Sequence, residues 1–154
     1  KTGVTNQEIL ASIQLAKEAG LLIIAGKMHG AGIDEKLTDK ETVRNFVEAG
    51  ADIVLLPGVG TVPGTTLEKT ASLVEEVHSL GAMALTSIGT SQEGAERETI
   101  QQIALYNKMA GADVHHIGDA GMYGMAIPER IMDYSIAIRG KRHTYFRMAS
   151  SIFR

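Results

Sequence analysis

Four glycines recur at nearly constant spacing, and this repeat limits the fold of the chain more than any other feature. A short apolar run follows each of them, and neighbouring members are 30 or 31 residues apart: Gly20, Gly50, Gly81 and Gly111. Glycine at a helix end readily takes the left-handed conformation, and apolar runs of this length suit strands buried on both faces. The repeat therefore predicts a unit made of one strand and one helix.

Amphipathic stretches fill the intervals between the apolar runs and predict the helices. They cover approximately residues 39–49, 65–80, 92–110 and 128–138. The predicted N-cap residues are Asp39, Thr65 or Thr66, and Ser91, and Pro128 stands at an allowed first-turn position. A further helix near the N-terminus is predicted to begin at Thr5 or Asn6.

The alternation of strands and helices places the chain in the α/β class. Parallel strands joined in this way form either a closed barrel or an open three-layer sheet, and an even period near 30 favours the barrel. The chain has 154 residues, whereas a whole TIM barrel needs about 250. We therefore predict four consecutive βα units of a TIM-type (β/α)8 barrel, a half barrel in which 1–154 form a single domain. An open parallel three-layer sheet is the alternative.

A half barrel has two unpaired strand edges, so a partner is expected. The first residue is Lys1, and the first predicted element is a helix with no strand before it. This arrangement indicates the C-terminal half of a larger barrel. We expect the edges to be covered by the missing N-terminal half or by a homo-oligomer partner.

Charge and composition narrow the range of ligands. The chain carries 15 Lys and Arg against 18 Asp and Glu, a net charge of −3, and it contains no cysteine. Neither nucleic acid nor a membrane is an expected partner, because there is no global positive charge and no apolar segment of about 18 residues. We expect a small anionic metabolite and a cytoplasmic location. The basic segment 139–154 is predicted to form a terminal helix that closes the barrel bottom or contacts a subunit.

Ligands of parallel α/β folds bind at the C-terminal ends of the strands, so the loops that follow the apolar runs are the candidate site. All four loops are rich in glycine: 26–30, 57–61, 87–91 and 116–121. We aligned the repeats on their glycines and applied the two-residue alternation of strands. This alignment places His115 on the helix side and the following residues on the pocket side: Lys27, His29, Thr86, Thr90 and His116.

Three of these pocket-side residues are the predicted catalytic group. Lys27 holds a substrate carboxylate or phosphate in this hypothesis, or acts as a base, because its ammonium group is a compact positive charge. His29 or His116 transfers the proton, since imidazole titrates near neutral pH. Gly26, Gly30 and Gly118 leave space around them.

The last loop also suggests metal and anion sites. Asp119 and His116 are the predicted ligands of a divalent metal such as Mg, Mn or Zn. Backbone amides after the last strand are predicted to bind an anion, together with polar residues of the preceding loop. The assigned residues are Gly118, Ala120, Gly121, Thr90 and Ser91. The segment 58–64 lacks the spacing of a dinucleotide fingerprint, which excludes a nicotinamide site there.

Several runs resemble a bacterial family whose members are labelled phosphoenolpyruvate phosphonomutase-like or haloacid dehalogenase-like hydrolases. The runs span nearly the whole chain: 24–29, 50–57, 88–94, 115–121 and 135–140. The first label implies a TIM-barrel lyase or mutase that uses a divalent metal, with its acidic ligands largely upstream of Lys1. The second implies a phosphatase-like hydrolase, although the Asp-x-Asp nucleophile pair is absent from this sequence. A non-catalytic anion-binding scaffold is a further alternative.

Overall fold

A four-stranded parallel sheet, in the order β1-β2-β3-β4, is the framework of the fold. The computed structural model describes residues 3–27, 35–36, 39–89, 92–118 and 126–150. The strands are β1 (Ile24–Ala25), β2 (Ile53–Pro57), β3 (Met83–Ser87) and β4 (Val114–His116). The helices are α1 (Asn6–Glu18), α2 (Lys40–Ala49), α3 (Leu67–Ser79), α4 (Arg97–Met109) and α5 (Pro128–Ala149), with a 3-10 helix at Gln92–Gly94.

The helix ends follow the local signals of the sequence. Thr5 caps α1 in a capping box with Glu8, Asp39 caps α2, and Thr66 caps α3. The four repeated glycines all have positive φ, between 73° and 118°, as predicted. The fourth interval differs, because a 3-10 turn comes first and α4 begins only at Arg97 without a side-chain cap. The predicted cap Ser91 lies outside the described residues.

The strand order confirms the barrel-type half. Consecutive strands are neighbours and all pairings are parallel. Each helix packs against the next helix along the chain, from α1 to α5. Because right-handed connections between sequential strands place every helix on the same side, the helices form one layer. The alternative open three-layer sheet is therefore wrong.

The strands are staggered by one residue at each step across the sheet. Ala25 pairs with Val54, and Val54 pairs with Ala84. These residues stand five, four and three positions after the glycines of their own units. A stagger of one residue per strand is the value that closes eight strands into a barrel of shear eight.

This stagger decides which side chains face the helices. Residues in register share a face, so Thr86 faces the same way as its partner His115. Thr86 is fully buried, and its predicted place on the pocket side is wrong. The reason is that alignment on the glycines ignores the stagger and reverses the face at every step.

The helix-side face of the sheet forms the main core. The buried side chains of the strands and of α2 and α3 that pack together there are Ala25, Val54, Leu56, Ala84, Val43, Phe46, Leu73, Val74 and Val77. The opposite face is open at its N-terminal end, whereas Leu85 on the same face is buried. Ile24 and Met83 lie on it and are 52% and 45% exposed. This open face corresponds to the interior of a closed barrel.

Two aspartates tie neighbouring strands together at their N-terminal ends. Asp52 accepts a hydrogen bond from the Ile23 amide at 2.9 Å, and Asp113 accepts one from the Ala84 amide at 2.8 Å. The Ile23 amide and the ammonium group of Lys17 hold the pKa of Asp52 below its ordinary value. Both carboxylates stand two residues after a repeated glycine, so the same bond between a side chain and the preceding strand occurs in units two and four.

A buried polar network joins the last strand to the last two helices. The Asn107 side chain accepts a hydrogen bond from the Val59 amide at 2.8 Å and donates one to the Tyr134 hydroxyl at 2.9 Å. His115 Nδ1 lies 3.1 Å from the same hydroxyl. His115 therefore faces the helices, as predicted, and α5 is anchored to β4 through Tyr134.

Helix α5 is interrupted at Gly140, whose φ of 77° and ψ of 164° are not helical. The basic segment after it continues as a helix to Ala149. No helix within the described ranges is long and apolar enough to cross a membrane.

The stability of the fold should depend on the protonation of His115. Burial lowers the pKa of His115 below its ordinary value, assisted by Arg139 and opposed by Asp113. Above about pH 7 the ring is neutral in both the folded and the unfolded chain. Below about pH 6.5 the unfolded chain binds the proton first, so stability falls until the folded-state pKa is reached.

We expect the thermal midpoint of the wild type to drop by about 1–3 °C more than that of His115→Gln between pH 7.5 and 5.5, a small effect because the ring is only half-buried. Thermal unfolding followed by circular dichroism measures this difference. An equal change of the thermal midpoint with pH in the two proteins would contradict the prediction that protonation of His115 destabilises the fold.

Candidate functional site

A serine and a histidine meet where β3 and β4 end. Ser87 and His116 are partners in the register of these strands, and Ser87 Oγ lies 2.9 Å from His116 Nδ1. Ser87 shares a face with Met83, four residues earlier in β3, and His116 shares it as the register partner of Ser87, so both stand on the open-face side at the strand ends. His116 is exposed. This pair is the candidate functional site.

The arrangement can both give and take a proton. The Ser87 contact fixes the imidazole through Nδ1, and no hydrogen bond to Nε2 is found among the described residues. When the ring is protonated at both nitrogens, Nε2 carries a hydrogen and acts as an acid; when the ring is neutral and Nδ1 donates to the serine oxygen, Nε2 is a base. A ring that is held at one nitrogen and open at the other suits acid–base chemistry.

A cavity of about 410 Å³ opens at the neighbouring strand end. Its lining includes Pro57, the last residue of β2, together with two lysines and one carboxylate: Lys36, Lys69 and Asp39. Pro57 is the register partner of Ser87, so the cavity adjoins the serine–histidine pair. The ammonium group of Lys69 belongs to the first turn of α3, where the helix dipole also favours an anion.

Lys27 lies at the far edge of the sheet and already has partners. It is 3% exposed, and its ammonium group contacts the Glu35 carboxylate and lies 3.2 Å from Asn6 Oδ1 at the start of α1. Hydrogen bonds from Lys27 and from the Asn6 amide hold the pKa of Glu35 below its ordinary value. The positive charge of Lys27 is therefore compensated within the fold.

The described members of the predicted catalytic group stand on different strands and make no contact with each other. Lys27 follows β1 and His116 ends β4, with two strands between them, or about 14 Å measured along the sheet. The third member, His29, lies outside the described residues. Of the predicted catalytic residues, His116 alone stands at the Ser87 mouth within the part of the chain that the structure describes.

The predicted anion site contains a closely packed glycine. Gly118 has a φ of 81°, and a Cβ there would overlap the Ile88 carbonyl oxygen and lie 3.6 Å from Glu93 Oε2. Only glycine fits this position. The nearby carboxylate disfavours an anion at this end of the mouth. The other predicted anion-binding residues, Thr90, Ser91, Ala120 and Gly121, lie outside the described residues.

The described residues do not assemble a metal site. No group of three or more His, Asp or Glu side chains in these ranges could hold a metal ion. His116 is one of the two predicted ligands, and the other, Asp119, lies outside the described residues. The divalent metal implied by the resemblance stays a prediction.

Sequence reasoning missed three residues that matter at this mouth. Ser87 would have been found by allowing for the one-residue stagger, which places it beside His116. Asn107 and Glu93 gave no such signal. Their burial depends on how α4 and its preceding turn pack against the strand ends, which no local pattern reveals.

Solved structures that resemble this chain are TIM-barrel-type enzymes of low sequence identity. Deoxyribose phosphate aldolase from Aeropyrum pernix is 16% identical with a TM-score of 0.60, and the match covers 88% of this chain and 57% of the aldolase. A protein from Burkholderia cenocepacia J2315, provisionally described as a lyase/mutase, is 18% identical with a TM-score of 0.62, with coverages of 88% and 51%. The chain thus spans little more than half the length of either protein.

A third structure is 2,3-dimethylmalate lyase, a member of the PEP mutase/isocitrate lyase superfamily. It is 17% identical with a TM-score of 0.44, and the match covers 96% of this chain and 50% of the lyase. Neither the aldolase nor the Burkholderia protein is described as a haloacid dehalogenase-like hydrolase, so that label gains no support from them. No curated protein sequence matches the chain significantly.

The fold of this chain is thus that of a partial barrel of the aldolase and lyase type. At the level of sequence, the match runs from the first residue to the last. Over residues 1–154, the chain belongs to the family described as Domain of unknown function (DUF7916).

Proposed function

We propose that this chain is one half of a TIM-barrel enzyme of the lyase or mutase class that acts on a small phosphorylated or carboxylated metabolite. The observation that carries the proposal is the 2.9 Å contact between Ser87 and His116 at the C-terminal strand ends. Active sites of TIM barrels lie at this end. The likeness of the fold to aldolase and lyase structures supports the same reaction class.

In this proposal His116 transfers the proton and Ser87 positions the His116 ring. Cleaving a carbon–carbon bond beside a carboxylate requires a base that removes a proton from the substrate and an acid that returns one to the product. The exposed Nε2 of His116 performs both steps as the ring changes protonation state. Ser87 holds the ring orientation through Nδ1.

The anionic group of the metabolite is assigned to the cavity beside Pro57. Lys36 and Lys69 line this cavity, whereas Lys27, the residue predicted for the role, is already paired with Glu35. Lys36 makes a longer contact of 3.5 Å with Asp39 and is 79% exposed at its side chain, so it retains freedom to meet a ligand. The anion-binding roles predicted for Gly118 and the loop residues around it stay predictions.

A hydrolase is the second candidate, and the same contact favours it. Serine beside histidine is the arrangement that activates a hydroxyl nucleophile. In that case His116 would remove the proton from Ser87 and not from the substrate. Loss of the serine hydroxyl should lower activity more in a hydrolase than in a lyase or mutase, so mutation of Ser87 separates the two candidates.

Substitutions in the pair should separate these roles in the protein that carries the complete barrel. We expect His116→Gln to lower kcat by about 100-fold or more and Ser87→Ala to lower it by only about 10-fold, because a positioning residue contributes less than the acid–base group. Turnover of a panel of phosphorylated and 2-hydroxy carboxylic acids measures both. Leu105→Ala, on the exposed side of α4, is the control.

Equal loss in the two variants, near the background rate, would favour the nucleophilic serine of a hydrolase. Full activity of His116→Gln with an unchanged melting temperature would exclude both candidates. Melting temperatures of all variants should stay within a few degrees of the wild type, because neither side chain is buried in the core.

Loss of one lysine should weaken anion binding. We expect Lys69→Met to raise the Kd for inorganic phosphate by about 5- to 10-fold, because it removes a charge beside the cavity and at the α3 N-terminus. Lys40→Met is the matched control, since Lys40 is exposed and contacts Glu76 instead. Titration calorimetry measures both. Equal Kd values for Lys69→Met and the wild type would contradict the proposal that the anion binds in this cavity.

We also propose that the open face and the two free strand edges are covered by four further strands, from the other half of a barrel or from a second copy. The isolated 154-residue chain should therefore self-associate at micromolar concentration. Met83→Lys should weaken this association, because it places a charge on the open face. Leu105→Lys, on the outer surface of α4, should leave it unchanged.

Sedimentation equilibrium gives the association state of the three proteins. A stable, well-folded wild-type monomer would contradict the proposal, and so would equal weakening by the two lysine substitutions.

A further inference from the structure

Glu93 is a buried carboxylate that the chemistry above does not use. It belongs to the 3-10 turn Gln92–Gly94, between β3 and α4, and it is 3% exposed. Its Oε2 atom is buried and has no hydrogen-bond partner among the described residues. No basic side chain in these ranges forms an ion pair with it.

Such a carboxylate is costly for the fold. A buried charge or polar oxygen loses its hydration and must be compensated by a donor or a counter-charge. The arginines packed near this end of the molecule are paired elsewhere: Arg130 contacts Glu96 and Asp133, and Arg97 contacts Asp133. The packing of the described residues therefore gives no structural reason for a carboxylate at this position.

The unpaired oxygen lies close to the backbone that follows β4. Glu93 Oε2 is 3.6 Å from the position that a Cβ of Gly118 would take. Gly118 follows His116 by two residues. The Ile88 amide is bonded to the His116 carbonyl at 3.0 Å, which holds the ends of β3 and β4 together.

We propose that Glu93 is a ligand-binding residue whose Oε2 accepts a hydrogen bond from a hydroxyl or ammonium group of the metabolite. This inference rests on the proposed function, because it assumes that the ligand occupies the mouth beside His116. It extends that function by giving the ligand a second recognised group. The anionic end lies toward the lysines beside Pro57, and the hydrogen-bond donor lies toward β4.

Charge supports this orientation of the ligand. The carboxylate attracts a hydrogen-bond donor, whereas the cavity beside Pro57, with Lys36 and Lys69 against the single Asp39, carries the excess of positive charge that favours an anion. Binding would also supply the donor that Oε2 lacks. Sites that hydrogen-bond a substrate hydroxyl or amine discriminate strongly against analogues without it, because the buried acceptor is then left unpaired.

A stability measurement tests whether the carboxylate serves the fold. Methionine has a similar length and needs no donor, so Glu93→Met in the ligand-free protein should raise the melting temperature by about 2–8 °C. Glu98→Met is the matched control, because Glu98 is an exposed carboxylate in the next helix, and it should change the value by less than about 1 °C. A lower melting temperature for Glu93→Met would show a structural bond and overturn the proposal.

A binding measurement tests the ligand chemistry in the protein that carries the complete barrel. Acetate, glycolate and glycine share a carboxylate and differ in having no further donor, a hydroxyl or an ammonium group. We expect the wild type to bind glycolate or glycine at least about 10-fold more tightly than acetate in NMR titrations. The tighter of the two identifies the donor, and Glu93→Met should abolish the preference.

Equal binding of the three probes by the wild type would overturn the role of Glu93 and leave the proposed function standing. A preference that persists in Glu93→Met would do the same. Failure of all three to bind would count against both the Glu93 role and the proposed function.

Discussion

The one-residue stagger between neighbouring strands is the constraint on which the rest of this structure depends. It tilts the strands, curves the sheet and assigns each side chain to the helices or to the open face. It also decides which residues meet at the strand ends. Ser87 lies beside His116 because β4 is displaced by one position against β3. The candidate site is thus a direct product of the shear.

The repeat predicted the architecture well because its signals are local. Helix caps at Thr5 and Asp39 and the left-handed glycines depend on a few neighbouring residues, and the structure confirms them. The face of Thr86 depends on the relative displacement of separate strands, which a one-dimensional alignment cannot contain. The burial of Glu93 depends on tertiary packing in the same way. The sequence therefore predicts the elements better than it predicts their contacts.

The proposed site places different groups at neighbouring strand ends. Lys36 and Lys69 line the cavity beside the end of β2 together with Asp39, the serine–histidine pair bridges β3 and β4, and Glu93 lies near Gly118 after β4. The proposed ligand would have its anionic end near the lysines and its hydrogen-bond donor near Glu93. Lys27, by contrast, is neutralised by Glu35 at the N-terminus of α1, where it stabilises the joint between the first helix and the first strand. The charge of Lys27 therefore stabilises the fold.

The two aspartates at the strand bases divide the repeat into pairs. Asp52 and Asp113 bond the preceding strand in units two and four, whereas the corresponding positions of units one and three hold Leu22 and Met83. The β1–β2 and β3–β4 pairs are therefore each fixed at the base by a side chain as well as by backbone bonds, whereas the described residues show no such side-chain bond between β2 and β3.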